Sequence, residues 1–411
     1  MTIRSIITAS IIMLGALCSA TGAGATQSKF VPNPPNCVNS GAFSAWMNAF
    51  RKEAASRGIS QTTLARALDG IELDQRIIAR DRKQGFFAQS FADFSKRLAT
   101  DNRYQAGRRK IAQNTTYFER AQAKYGVPPE VITAFWALES DFGKGMGNFP
   151  VLPALATLAY DCRRGAMFRE ELIAALQIIE RGDLDPQEMV GSWAGELGQT
   201  QFLPKHYLDH AVDFDGDGRI NLFRSDADVI GSTAAFLKHL GWRAGEPWLQ
   251  EVVLTKELPW QEADLAIKHP RSKWVGWGVR AAEGGALASD DVPASLLLPM
   301  GRKGPAFLAY RNFDMYTEWN QSLNYAATAG YLATRIGGAG PMQGRERDIP
   351  GLDAEQAKAL QRILTNRGYD VGKIDGVIGA KSRAAIKEMQ IKFGLPADSY
   401  PTPELLEKLG G

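Results

Sequence analysis

Val131-Ile132-Thr133-Ala134-Phe135-Trp136-Ala137-Leu138-Glu139-Ser140-Asp141-Phe142-Gly143 is the stretch on which the reading of this chain turns. From Val131 to Leu138 the only polar side chain is Thr133, and Pro128-Pro129 just ahead supplies a helix start. A helix this apolar is buried on most sides. Glu139 closes the run, and Gly143, Gly145 and Gly147 follow, so a carboxyl is expected at the floor of a cleft beside a glycine-rich turn. Burial disfavours the charged form of such a group, and the protonated form is what a general acid needs. The same local pattern also suits a Glu that pairs with an Arg at a helix end. The glycines are no dinucleotide fingerprint: their spacing differs, and a helix rather than a strand precedes them. Asp141 falls about 200° round a continued helix from Glu139, on another face, and reads as structural or as a cap.

Outward from this stretch, the chain has 411 residues, 45% hydrophobic and 23% charged, with a net charge of +3. At ~150 residues per domain this is two or three domains with real cores. The charge balance gives no case for nucleic acid. The only long apolar stretch, Ile6 to Leu17, is too short and too broken by Thr8 and Ser10 for a transmembrane segment. With Arg4 before it and Ala23-Gly24-Ala25 after it, residues 1–25 read as a signal peptide cut before Thr26. Leu17 stands where a lipobox before Cys18 needs a small residue, which favours a soluble exported protein over a lipoprotein. Cleavage leaves Cys37 and Cys162, and an even pair in an exported chain predicts one disulfide rather than two buried thiols.

Phe43, Trp46, Met47 and Phe50 repeat at helical spacing, and Ser60 is placed to cap a helix over Gln61 to Leu68. Between Arg76 and Arg109 many charges alternate with Phe86, Phe87, Phe91 and Phe94, which reads as solvated helix faces over an aromatic core. Val252-Val253-Leu254, Leu296-Leu297-Leu298 and Phe307-Leu308-Ala309-Tyr310 read as short strands, and a helix is expected from Tyr316 to Ile336. The composition then shifts through Gly337-Gly338-Ala339-Gly340-Pro341 to Pro350-Gly351. The division expected is a helical region over 26–120, a core over 121–336, a linker over 337–351 and a separate module over 352–411.

Asp213, Asp215 and Asp217 stand at positions 1, 3 and 5 of an EF-hand-like loop, with Gly218 at 6 and Arg219 offering a backbone carbonyl at 7. Position 12 is Arg224 where a Glu is required, so the standard loop is broken. Clustered carboxylates favour a cation, although an Asp/Gly-rich surface turn has the same look. His206 and His210 are four apart, but Tyr207 stands where a zinc protease has Glu, which argues against zinc. No Ser-His-Asp or Cys-His arrangement stands out.

Three motifs in order resemble the lytic murein transglycosylases of the membrane-bound B type. They are Trp136 to Gly143; Phe149-Pro150-Val151 with Leu155 to Tyr160; and Gly191-Ser192-Trp193-Ala194-Gly195-Glu196-Leu197-Gly198-Gln199-Thr200-Gln201-Phe202-Leu203-Pro204. The resemblance runs over roughly residues 40–336. It implies an α+β, mostly α, protein: a lysozyme-like core, a helical N-terminal region and a small β-containing insertion. It implies cleavage of the MurNAc-GlcNAc β-1,4 bond of peptidoglycan in the periplasm, leaving 1,6-anhydromuramoyl ends. Glu139 is then the single acid/base, and no catalytic cofactor is needed. That differs from glycosidases with two flanking carboxylates. Glu196 stands where the family often has a small residue, which leaves open a second carboxylate near the cleft.

Ser192 and Gln201 match family positions that hold the catalytic Glu and the N-acetyl sugars; capping or loop hydrogen bonds are the alternative. Trp319-Asn320-Gln321-Ser322-Leu323-Asn324-Tyr325 resembles a later motif, Tyr-Asn-x-Ser-x-x-Tyr, with Trp319 replacing the first Tyr. Trp319, Asn320 and Tyr325 are therefore substrate-site candidates. The family's longer acidic loops are closed by a later Asp, implying a structural Ca²⁺ held with Asp228, or in second place Asp226. Asp375-Gly376-Val377-Ile378-Gly379 through Ser382, Ala385-Ile386 and Met389-Gln390 resembles a three-helix peptidoglycan-binding domain. The expected partners are peptidoglycan and other cell-wall enzymes in complexes. A hydrolytic muramidase on the same fold and a non-catalytic wall-binding scaffold are the competing functions.

Overall fold

The computed structural model describes residues 36–82, 89–282, 285–343 and 349–410. The signal-peptide segment, Phe86 and Phe87 lie outside the described residues. The chain packs as two compact units, one built from residues up to 84 and 110–239, the other from 85–109 and 240–411. Both are dominated by helices. Among the described residues no helix is long and apolar enough to cross a membrane.

In the first unit the helix Phe43–Ser56 buries Met47, Phe50 and Ala54. Ser60 accepts the Thr63 N–H at 3.2 Å and so caps Gln61–Leu68. Pro129–Ser140 begins with proline in its first turn and is buried at every residue from Val131 to Ser140. Val151–Tyr160 and Gly165–Arg181, both largely apolar, pack against each other, and Thr115–Tyr125 packs against Pro129–Ser140. Two two-residue strands, β1 (Phe149–Pro150) and β2 (Val190–Gly191), pair antiparallel. Cys37 and Cys162 are joined by a disulfide, Cα atoms 6.0 Å apart, across a separation of 125 residues.

The charges after Arg76 are not all solvated. Asp81 is 1% exposed and binds Arg163 at 2.6 Å and also Arg164, while buried Asp161 takes Arg82 at 2.6 Å. This buried network ties the Gln75–Arg82 helix to the turn ahead of Gly165–Arg181.

The second unit holds a five-stranded antiparallel sheet. Its strands are β3 (Leu249–Leu254), β4 (His269–Pro270), β5 (Val279–Ala281), β6 (Pro293–Leu297) and β7 (Ala306–Ala309), in the order β4-β6-β7-β3-β5. β7, at the centre, is buried at all four residues, which explains its unbroken apolar run. The edges β4 and β5 are only two and three residues long and carry too little pattern to be read from sequence. Trp260, Trp274 and Tyr310 fill the sheet's core.

The helix expected over Tyr316 to Ile336 is two helices, Arg311–Trp319 and Leu323–Ile336. The break lies at Asn320, whose side-chain oxygen accepts the Ser322 N–H at 2.9 Å, while Ser322 caps the second helix through the Tyr325 N–H. These local bonds compete with continued helix.

Three helices, Ala354–Asn366, Ala380–Lys392 and Pro403–Lys408, close over Leu360, Leu364, Ile386, Met389 and Leu405. Asp375 accepts the Val377 N–H at 2.9 Å, and buried Gln361 bonds Val377 and Gly376, so the motif builds the inter-helix turn. This bundle rests on the sheet's loops. Arg383 donates to the Leu298 carbonyl at 2.9 Å, the Arg302 N–H to Asp398 at 2.9 Å, and Lys387 pairs with Asp264 at 3.1 Å.

Candidate active site

Glu139 is the penultimate residue of Pro129–Ser140 and is 4% exposed. The helix does not continue past it. Asp141 and Phe142 take left-handed φ of 49° and 60°, followed by Gly143 at 86°. The strain at two non-glycine residues, of order 1–3 kcal/mol each, persists because the turn is pinned from outside. Ser140 donates its hydroxyl to the Gln199 carbonyl at 2.7 Å and accepts the Gly143 N–H at 3.0 Å. Trp136 donates its indole N–H to the Gln199 side chain at 2.8 Å and meets Phe142 edge-on. Gln199 in turn donates to the Phe223 carbonyl at 3.0 Å. Gln199 was not singled out from sequence, since a glutamine between Gly198 and Thr200 gives no sign of its distant partners. Asp141 serves as the left-handed cap, 3.9 Å from Lys144.

The segment after β2 is a compact turn. The Ser192 N–H donates to the Glu196 carbonyl at 3.1 Å, and the Ser192 hydroxyl oxygen accepts the N–H of Ala194 and of Glu196, both at 3.2 Å. Leu197 and Phe202 exchange backbone hydrogen bonds across the next turn. Gly191 and Gly147 are packed backbone to backbone, and a Cβ on either would overlap a carbonyl: that of Glu196 for Gly191, that of Gly191 for Gly147. Gln201 has φ of 50° and donates its amide to Gly198 at 2.8 Å and Met146 at 3.2 Å, so both bonds bind backbone.

Glu196 is 3% exposed. Its carboxyl is pushed up to about 8, first by burial and then by the negative charge of Glu139; the Ser192 hydroxyl and the Arg164 guanidinium oppose the rise. Two buried carboxyls thus interact here, on Glu139 and Glu196, while Asp141 is 40% exposed.

Trp319, Asn320 and Tyr325 belong to the other unit, at the break between its two helices. Trp319 and Asn320 are half-buried, and Tyr325 is 7% exposed.

In the acidic loop, one carboxylate oxygen from each of Asp213, Asp215 and Asp228 lies within 4.8 Å of the others. Asp213 accepts the N–H groups of Gly216, Asp217 and Gly218, and that of Gly218 does most to hold it below the usual carboxylate range. Asp215 accepts the Ser225 hydroxyl at 2.6 Å. Asp228, in the first turn of Asp226–Leu240, reaches back to the N–H of Phe214 and of Asn221, both at 2.7 Å. Burial raises its carboxyl, and the charges of Asp215 and Asp213 add to that. Asp217 is not in this group: its carboxylate accepts the Arg219 N–H at 2.8 Å. The Arg219 side chain turns away to the Asp183 carbonyl and Glu188. Asp226 is taken by Lys110 and Asn114. Three hard oxygen donors that repel one another suit Ca²⁺.

Residues 42–334 match the family described as the transglycosylase SLT domain, and residues 353–409 match a putative peptidoglycan binding domain. The membrane-bound lytic murein transglycosylase B of Escherichia coli K12 is 32% identical over 244 residues, which is 59% of this chain. The chain spans 66% of that relative's length. SltB3 from Pseudomonas aeruginosa, solved in complex with NAG-anhNAM-pentapeptide, is 40% identical with a TM-score of 0.84, covering 90% of this chain and 100% of that one. The Escherichia coli lytic transglycosylase SLT35, solved in complex with calcium, is 29% identical with a TM-score of 0.60, covering 71% of this chain and 92% of that one. These matches and the mostly helical architecture agree: the chain belongs to the transglycosylase SLT domain family.

Proposed function

We propose that this chain is a lytic transglycosylase that cleaves the MurNAc-GlcNAc bond of peptidoglycan, with Glu139 as its one acid/base. The observation that carries the reading is Glu139 itself, a buried carboxyl on the last turn of a buried helix whose end is pinned by Gln199. In the first step Glu139 gives its proton to the glycosidic oxygen as the C1–O bond breaks. In the second it takes the proton of the MurNAc C6 hydroxyl as O6 bonds C1. Glu139 ends as it began, and no water is consumed. The anhydro sugar bound to SltB3 is a product of this kind.

Ser192 and Gln201 hold Glu139 and the N-acetyl sugars, and Trp319, Asn320 and Tyr325 contact the sugars. Residues 121–336 carry catalysis, and 352–411, joined through 337–351, hold the wall. Residues 1–25 direct export to the periplasm, where other wall enzymes are the partners. The second buried carboxyl, Glu196, is what favours a hydrolytic muramidase as the second reading.

Mass spectrometry of sugars released from purified peptidoglycan separates the two. The expected products are about 18 Da (one water) lighter than those of hydrolysis. Hydrated reducing ends would establish the muramidase instead, and no release at all would leave a wall-binding scaffold.

Asp213, Asp215 and Asp228 hold a structural Ca²⁺, with the Arg219 carbonyl as a further ligand. Bound calcium would quieten their mutual repulsion and fix the loop to the Asp226–Leu240 helix. Calcium at a hundredfold excess over Kd is expected to raise stability by about 2.7 kcal/mol. Scanning calorimetry with calcium or with chelator measures this, and Asp228→Asn should abolish the difference. Equal melting with and without calcium in the unaltered protein would remove the site.

A further inference from the structure

We propose that Gln199 is a positioning residue: it fixes the helix turn that carries Glu139 to the exit of the acidic loop, and Asn221 holds that exit in place. The proposal rests on the reading of Glu139 as the acid/base.

Gln199 is buried, and both its backbone and its carboxamide are spent on distant segments. Two bonds go to the helix of Glu139. The Trp136 indole N–H donates to the carboxamide oxygen at 2.8 Å, and the Ser140 hydroxyl donates to the Gln199 carbonyl at 2.7 Å. Trp136 and Ser140 bracket Glu139 in the chain. Two further bonds go to the loop. The carboxamide N–H donates to the Phe223 carbonyl at 3.0 Å, and the backbone N–H to the Leu222 carbonyl at 2.8 Å. Gly143 lies so close that a Cβ there would come within 2.7 Å of the carboxamide oxygen.

The loop end of this link is fixed in turn. The Asn221 side-chain oxygen accepts the N–H of Phe223 at 3.0 Å and of Arg224 at 3.1 Å. The Asn221 N–H donates to Asp228 at 2.7 Å. An unbroken series of bonds therefore joins the first turn of Asp226–Leu240 to the last turn of Pro129–Ser140.

That last turn needs a hold. It runs straight into the left-handed Asp141 and Phe142, a conformation of high local energy that relaxes when its contacts are lost. Proton transfer requires the Glu139 oxygen within hydrogen-bond reach of the glycosidic oxygen. A displacement of about 1 Å costs about a hundredfold in rate. The sugars are bound by other residues, so the loss falls on kcat.

The test is kcat and KM on soluble glycan fragments, below the melting temperature of each variant. Gln199→Met keeps the length and removes only the two side-chain bonds. Its kcat is expected to fall about tenfold to a hundredfold with KM unchanged. The indole N–H resonance of Trp136, assigned by its loss in Trp136→Phe, should move upfield in Gln199→Met. Gln199→Glu supplies the rescue. A protonated carboxyl accepts from the indole and donates to Phe223 as the amide does, and ionisation removes the donor. Its kcat relative to the unaltered protein should approach one at acid pH and fall as pH rises. Asn221→Ala should lower kcat too, and adding it to Gln199→Met should cost nothing more, since both break one link. If Gln199→Met does not fold, Asn221→Ala reads the link from its far end.

An unchanged kcat in folded Gln199→Met overturns the proposal. So does a Gln199→Glu deficit that is the same at every pH, or losses that multiply in the double variant. An active Glu139→Gln overturns the parent reading instead. An inactive Glu139→Gln beside a fully active Gln199→Met overturns this proposal alone.

Discussion

Glu139→Gln is expected to lower the rate of glycan release from peptidoglycan by at least about a thousandfold, while binding to insoluble peptidoglycan stays intact. General acid–base catalysis contributes ~10²–10⁴ per role, and here one side chain serves both steps. Glutamine keeps the size of the side chain, so the Trp136–Gln199–Ser140 pins that close the helix end are untouched. The variant also removes one of two buried carboxyls, so its melting temperature should match or exceed that of the unaltered protein. Rate assays, sedimentation with peptidoglycan and a thermal melt read the three properties separately. A loss of less than tenfold would take Glu139 out of the chemistry.

The second large effect is on stability. Asp81→Ala is expected to destabilise the first unit by about 3–5 kcal/mol. Asp81 is 1% exposed and is the shared partner of two neighbouring guanidiniums, Arg163 and Arg164. Burial pulls the Arg164 guanidinium down, and Asp81 is the largest influence opposing that. Without Asp81, two like charges remain together out of water. Asp81→Asn should recover part of the hydrogen bonding but not the charge. Asp81→Leu combined with Arg164→Met should be more stable than Asp81→Ala, because an apolar pair replaces a broken ionic one. Denaturant midpoints measure all three, and a loss below about 1 kcal/mol for Asp81→Ala would show that the network does not organise the fold.

The residues differ in how much of this they disclosed beforehand. The buried helix ahead of Glu139 and the cap at Ser60 were legible because each is set by side chains within one or two turns. β3, β6 and β7 were legible in outline from their apolar runs, whereas the two-residue β4 was not. Asp81 gave no signal, since its partners lie 82 and 83 residues away and a lone Asp among arginines looks like a solvated face. The interruption at Asn320 turns on two local hydrogen bonds, which helical periodicity does not register. In the candidate site the motif residues were visible in sequence, but what Ser192, Gln199 and Gln201 bond to was not. Gln199 bonds Trp136, Ser140 and Phe223, and Gln201 reaches Met146, across segments brought together only by folding, whereas Ser192 bonds within its own turn.

The Cys37–Cys162 link closes a covalent ring, and the stretch from Pro129 to Gly143 lies inside it. A protease that cuts the backbone once anywhere between those cysteines opens the ring without releasing a fragment. The severed ends remain parts of one molecule at millimolar effective concentration, so they reassociate without a search through solution. The segment bearing Glu139 therefore survives a single nick that would carry it away in an uncrosslinked chain.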